Sequence, residues 1–555
     1  MTSTLPQGQD ATLLPSDYAQ VAGYRHSGGL SIPSDTTNTT ETTPLLRAPP
    51  IPVISEGIDG DPNLDNDSKS ALFWEEAPIL TKYALPVFGT HLLEHTLALV
   101  PVISIGHLST KALAAVTLGS MTATVSGFSI ISGFCSALDT TLPSAWTSEH
   151  PKYVGLWAQR MSVLMAAILV PIFLIWFNAE SILLSLKQDP DVANLAAIYL
   201  RWISIGLPAY TFNVISRRYF QSQGLFNIPT RIIFIVAPIN AFLGWLLVWS
   251  PIGLGFVGAP LASAISFNLI ALLNLTYGLF FVDRRAWHPW SLRAFSNLGY
   301  LFRLGASGVA QSASEWWAWE LVTLAVSQFG PAALAAQSAL VMSASTTCQA
   351  ASALGVATSV RIGNLLGEGK VRRAHSTSDT SIVLALIVSV LNCALYLVFR
   401  KNWGRLFNDD EEVVSLVADI VPLIALFQLF DGNANVTSGV LRACGMQHVG
   451  AVLGLTAYYV IGIPIGVVLA FRWHMGLQGL WIGLTIALIY MSSLGTYYRW
   501  KINWYIEMEK VKLRLEKEER LRKADLDRIP IDEERGIEEE EEEDSQVGYG
   551  AVGSS

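Results

Sequence analysis

Apolar residues along this chain gather into twelve runs, each near the roughly 20 residues a bilayer requires. They centre near Leu93, Ser129, Ile168, Ile203, Phe242, Ile270, Leu321, Met342, Val388, Leu423, Ile461 and Ile486. Short polar connections separate them, so each run is predicted to be one membrane-crossing helix. The flanks lack this pattern. Residues 1–74 are rich in Ser, Thr, Pro, Asp and Gly, carry no signal-peptide pattern, and are predicted to be a disordered cytosolic tail. Residues 503–555 open with a charged helix containing Glu507-Met508-Glu509-Lys510-Val511-Lys512. They then reach an acidic run, Glu538 to Asp544, and read as a solvated cytosolic tail.

The runs repeat. Glu94 and Ala112-Leu113-Ala114-Ala115 recur 221 residues later as Glu315 and Ala333-Leu334-Ala335-Ala336. At the same spacing Gly224 meets Gly445, and Gly255-Phe256-Val257-Gly258 meets Gly476-Leu477-Gln478-Gly479. The expected fold is an all-α polytopic membrane protein of twelve transmembrane helices in two six-helix lobes, residues 75–285 and 286–502. Because six is even, the halves enter the bilayer alike, giving a parallel internal repeat. Both termini then lie on one side, and loop charge makes it the cytosol. Lys152, Arg217, Arg218, Arg231, Arg284, Arg285, Arg293, Arg303, Arg361, Lys370, Arg372, Arg373 and Arg442 fall in loops read as cytoplasmic. Only Lys111, Lys187, Arg400, Lys401, Arg405 and Arg472 fall in the opposite ones.

Composition supports a membrane protein: 51% of the 555 residues are hydrophobic and 15% charged, against about 25% charged in a soluble chain. The net charge of −9 comes from the acidic tails and does not describe the body. Cys135, Cys348, Cys393 and Cys444 lie in apolar runs without a CxxC pair, which argues for packed thiols rather than disulfides or a metal site.

Candidate chemistry rests on ionisable residues within apolar runs, where each costs about 2.5–3.5 kcal/mol at a helix centre. The first helix places His91, Glu94 and His95 within a turn, on one broad face, with Pro101 beyond as a kink. A carboxylate beside two imidazoles is a candidate proton carrier. The seventh helix carries Glu315-Trp316-Trp317-Ala318-Trp319-Glu320. At helical spacing Trp319 falls about 40° from Glu315, which predicts an indole beside the acid, whereas Glu320 falls about 140° away. An acid flanked by indoles suits an organic cation. Asp431, in the tenth helix, is a third candidate, with a broken-helix cap as the competing reading. Asp139 serves an interfacial structural role at least as well as a transport one.

In order along the chain, Gly106-His107-Leu108, Ala137-Leu138-Asp139-Thr140, Gln188-Asp189-Pro190, Glu315-Trp316-Trp317, Arg361-Ile362-Gly363-Asn364-Leu365-Leu366-Gly367, Gly439-Val440-Leu441-Arg442 and Tyr459-Val460-Ile461-Gly462-Ile463-Pro464 resemble the multidrug and toxin extrusion (MATE) family. The resemblance covers roughly Pro78 to Trp500. Glu315-Trp316-Trp317 looks like the eukaryotic branch, and the tails resemble fungal members. It implies two lobes around a cleft and antiport of organic cations against protons, with Glu315, Glu320 and Asp431 at the positions of the family's second-lobe acids. Glu94 and His91 join them as coupling candidates, and Trp316 and Trp317 join Glu315 as substrate contacts. Asp431 stands where animal members tend to carry Glu, His91 where they carry Gln, and Ser144 where a Gln is common.

The expected function is a secondary transporter exporting organic cations or amphipathic xenobiotics by alternating access. No enzyme, cofactor, metal or nucleic-acid role is expected, and no Walker loop supplies ATP. A membrane acyltransferase using His91 or His107 lacks a nucleophile partner. Sodium fits carboxylates and backbone oxygens as protons do, and a lipid-linked or polysaccharide flippase is the rival reading. Glu41-Thr42-Thr43-Pro44-Leu45-Leu46 matches an acidic dileucine signal for sorting adaptors, favouring the vacuolar over the plasma membrane.

Overall fold

The computed structural model describes residues 69–106, 108–249 and 253–526. Residues 1–68 of the expected tail, the dileucine motif at Glu41, Leu45 and Leu46, His107 and the acidic run lie outside them, whereas residues 69–74, expected in that tail, already belong to the first helix. Among the described residues the regular structure is entirely helical. The twelve crossing helices are α1 (Lys69–Gly106), α2 (Lys111–Trp146), α3 (Tyr153–Phe177), α4 (Pro190–Ser222), α5 (Asn227–Trp249), α6 (Gly255–Phe280), α7 (Leu298–Val326), α8 (Pro331–Gly367), α9 (Val371–Phe399), α10 (Glu411–Ala443), α11 (Gln447–Arg472) and α12 (Gly476–Trp500). Helix α13 (Trp504–Leu526) follows. Every predicted centre falls inside its helix.

The repeat survives in the helix boundaries. Shifted by 221 residues, α4 falls on Glu411–Ala443, the bounds of α10. Gly224 and Gly445, with φ of +78° and +70°, end these two helices in the left-handed region, where a side chain would be strained. Each lobe has its own apolar core. One is built around Trp157, Met161, Trp176 and Leu200, the other around Ile424, Phe427, Trp481 and Leu484.

The first helix of each lobe reaches across to the other. The N-terminal turns of α1 bury Leu80 among Leu354, Ala357, Ala385 and Val436 of the second lobe, while its later turns meet α5 at Thr90–Thr230 (2.8 Å). Correspondingly, α7 crosses α2 where Gly133, Gly305 and Gly308 let the backbones approach. A side chain at Gly308 would run into Ser136 and the Gly133 carbonyl. These contacts are related by the repeat, since α1 and α2 correspond to α7 and α8.

The lobes are sealed together at the end of the bundle that carries α13, hereafter the tail side. There Thr147 donates to the Asn364 carbonyl (2.7 Å) and Thr140 to that of Arg442 (2.6 Å). Glu76, fully buried, accepts from Arg361 (2.7 and 2.8 Å) and Arg373. Two expectations are corrected here. Arg217, Arg218, Arg361, Arg373 and Arg442 belong to helices, not loops, and their guanidiniums satisfy carboxylates between helices. The charged helix that opens residues 503–555 is not solvated throughout, because its Trp504, Met508 and Val511 pack against Ile362, Leu365, Val371 and Ala443.

Candidate functional site

A cavity of about 480 Å³ lies between the lobes, lined by residues of α1, α2, α4, α7, α8, α10, α11 and α12. A second, of about 250 Å³, lies within the first lobe beside α1 and is lined by Thr124, Tyr199, Asn213, Asn240 and Asn274 among others. Two of the helices bordering these spaces contain π turns, at Thr124–Phe128 in α2 and Thr456–Gly462 in α11. Such turns frequently mark functional sites. Here one presents Thr124 and Phe128 to the smaller cavity and the other Tyr458 to the larger.

Glu315 and Asp431 both line the central cavity. Glu315 is open to it, and among the described residues no cation pairs with it. Asp431 is 4% exposed and sits within an unbroken helix, which excludes the cap reading. Its Oδ1 accepts from Asn435 (3.0 Å), while Oδ2 has no partner among the described residues. The two carboxylates thus face one cavity from different helices, Glu315 from α7 and Asp431 from α10. Trp316 forms part of the wall beside Glu315.

The same cavity receives His91, Glu94 and His95. Glu94 is not the free carboxylate its neighbours suggest: Arg217 of α4 grips it with two nitrogens, at 2.8 and 2.9 Å. His91 Nδ1 and His95 Nε2 are buried without a hydrogen-bond partner among the described residues. Deeper toward the tail side, Asp139 lies between Arg218 (3.0 Å) and Arg442 (3.4 Å), one from each lobe. Asp139 is therefore a link across the floor.

Three predicted neighbours are not brought together. Glu320 is not part of the cavity wall, as its 140° offset anticipates, and neither is Trp317, expected as a substrate contact but about 200° around the helix from Glu315. Trp319 turns away from Glu315 into the second lobe's core, with its ring 5.4 Å from Trp481 and 5.8 Å from Phe427. The ring gains apolar contact there on both sides, and Trp316 is the indole left at the acid. Sequence reasoning missed Arg217 and Arg218 as cleft residues. The signal was present in Gly224, whose repeat partner Gly445 marks where a helix ends. Both arginines precede that point and so belong to the helix.

The MatE family profile matches residues 86–246 and 309–468, one span in each lobe. An uncharacterized transporter of Schizosaccharomyces pombe is 37% identical over 479 residues, covering 84% of this chain and 89% of that one. Human multidrug and toxin extrusion protein 1 is 31% identical, covering 78% of this chain and 76% of its own. Among solved structures, a eukaryotic MATE transporter superposes with a TM-score of 0.75 at 28% identity, covering 80% of this chain and 99% of that one. With its duplicated lobes matched one by one, this integral membrane protein belongs to the MATE family of transporters.

Proposed function

We propose that the protein is a proton-coupled antiporter exporting organic cations or amphipathic xenobiotics by alternating access. The observation that carries this reading is the pair Glu315 and Asp431, two carboxylates on a shared cavity with no cationic partner among the described residues. An uncompensated acid at membrane depth is retained only where something else supplies the positive charge. A substrate cation and a proton can each do so, and they exclude one another. Ionised acids hold the cation on the cytosolic side, with Trp316 offering its ring face. Protons from the acidic side then neutralise them, and the cation leaves. The net effect is exchange, since affinity for the substrate differs between the two protonation states.

The identified relatives named for multidrug and toxin extrusion support an organic-cation substrate. The uneven distribution of basic residues favours cytosolic termini, and the dileucine motif favours the vacuolar membrane. The test is uptake of a fluorescent organic cation by reconstituted vesicles under an imposed pH gradient. Transport that collapses with a protonophore and is lost in Glu315→Gln establishes the mechanism. Transport driven by a sodium gradient instead replaces the proton. Failure with both moves the flippase reading forward.

A further inference from the structure

We infer that α13 is a clasp that holds the tail side of the cleft shut and has to release the first lobe in each transport cycle. The inference rests on the alternating-access reading above. It concerns a segment beyond both spans matched by the family profile.

The helix joins the lobes by two unlike attachments. Its first half belongs to the second lobe: three residues connect it to α12, and Trp504, Met508 and Val511 pack on the ends of α8, α9 and α10. Its second half docks on the first lobe through polar groups. Glu518 receives two bonds of 2.9 Å from Arg160 of α3, with the residues 4% and 1% exposed. Arg160 also lies over the Trp157 ring and donates to the Arg293 carbonyl and the Ser296 hydroxyl. Glu519 accepts from Tyr153 (2.7 Å), and Arg514 donates to the Thr140 carbonyl (3.2 Å), next to Asp139. Between the two halves, Leu515 touches the cores on both sides.

The internal repeat explains what this arrangement supplies. At one tail-side seam α1 provides Glu76, which ties the lobes through Arg361 and Arg373. The position 221 residues after Glu76 is Asn297, an amide that cannot replace that charge. Asn297 instead donates to Glu518 (2.8 Å), so α13 delivers the missing carboxylate to the second seam. One acid is built into a crossing helix, while the other arrives on a separate helix. The second is the seam that can open without unfolding a transmembrane segment.

Opening the cleft to the tail side has to part α2 from α8, and α13 spans that parting. Its apolar half stays with the second lobe, because the chain is continuous there. The Glu518–Arg160 and Glu519–Tyr153 contacts are the ones that break. Buried charge pairs break sharply, because each partner left alone keeps its desolvation cost. The clasp therefore sets how often the tail side opens.

The test uses two arms on the full chain. In the first, Tyr153→Cys and Glu519→Cys are introduced into a chain whose four natural cysteines are alanine, and are joined with a cleavable bis-maleimide. The bridged protein is expected to stop exporting the fluorescent cation, and cleavage to restore at least half the unbridged rate. Bridged protein transporting at the cleaved rate overturns the clasp. In the second, hydrogen exchange compares the natural chain with Glu518→Gln in nanodiscs, without any substrate. Exchange at 138–146 and 361–367 is expected to rise severalfold in the variant, while α5 and α11 remain unchanged. Equal exchange in both proteins overturns the clasp. A rise throughout, α5 and α11 included, is general loosening and also counts against it. Cleaved protein that carries no cation, beside a positive exchange result, counts against the antiport reading and leaves the clasp standing.

Discussion

Glu94 and Glu315 occupy one position of the repeat, yet their surroundings differ in the sign of the nearest charge. In the first lobe Glu94 faces Arg217, a permanent cation from α4. The residue 221 positions after Arg217 is Ser438, which offers Glu315 no charge. In its place the second lobe adds Asp431, where the first lobe has Tyr210. Duplication kept the helices and their boundaries while the charges were redistributed. The first lobe's acid is balanced within the protein, and the second lobe's acids are left to be balanced from outside. The comparison teaches that an acid's place in a repeat identifies the cavity, whereas its partner decides what the acid does there.

The largest effect should come from Glu315→Gln. Proton-driven uptake of the cation probe is expected to fall about tenfold or more, because the affinity difference between protonation states disappears. The melting temperature should hold, since no ion pair is lost. Moving the cation is a sharper trial. Ser438→Arg gives the second lobe the first lobe's arginine, and uptake should again fall about tenfold as the cavity acquires its own counter-charge. Unchanged transport in that variant would break the comparison, by showing that Glu315 does not need to be unpaired.

Glu94→Gln should act chiefly on stability. It leaves the largely buried Arg217 without its partner, a loss of about 1 kcal/mol given that Glu94 is partly solvated, read as a lower melting temperature in detergent. A variant that melts normally but loses coupling would give Glu94 the role assigned here to Glu315. The smallest effect belongs to Glu320→Gln. Uptake should change by less than about twofold, because the side chain lies off the cavity wall.

Much of this architecture was legible in the sequence, for reasons particular to lipid. A crossing helix needs a long apolar run, so even centres such as Ser129 and Met342 locate their helices correctly. A single offset, carried by Ala112-Leu113-Ala114-Ala115 and the glycines, anticipates the register of all six helix pairs. Glu315 and Asp431 were legible because an ionisable residue stands out against apolar neighbours. Pairing was not. Arg217 is 123 residues from Glu94, and Arg442 is 303 from Asp139, so nothing local links them. Helix α4 also extends beyond the thickness of the apolar layer, and its polar last turns resemble a loop. The attachment of α13 was hidden in the same way, since Glu518 in a run of charges looks solvated until Arg160 is found against it.

The composition of α7 bears on how the chain is made. Ten of the described helices are long and apolar enough to cross a membrane on that basis alone, and α7 is not among them. It carries Glu315 and Glu320 with several serines and glycines, and each acid at its centre opposes partition into lipid by about 2.5–3.5 kcal/mol. Its main neighbours are α2, synthesised long before it, and α11, which follows it. During biosynthesis α7 should therefore enter the bilayer late, against a first lobe already in place. Early truncation after α7 would leave that helix poorly inserted, and the charge that equips the finished protein is a hazard in the nascent one.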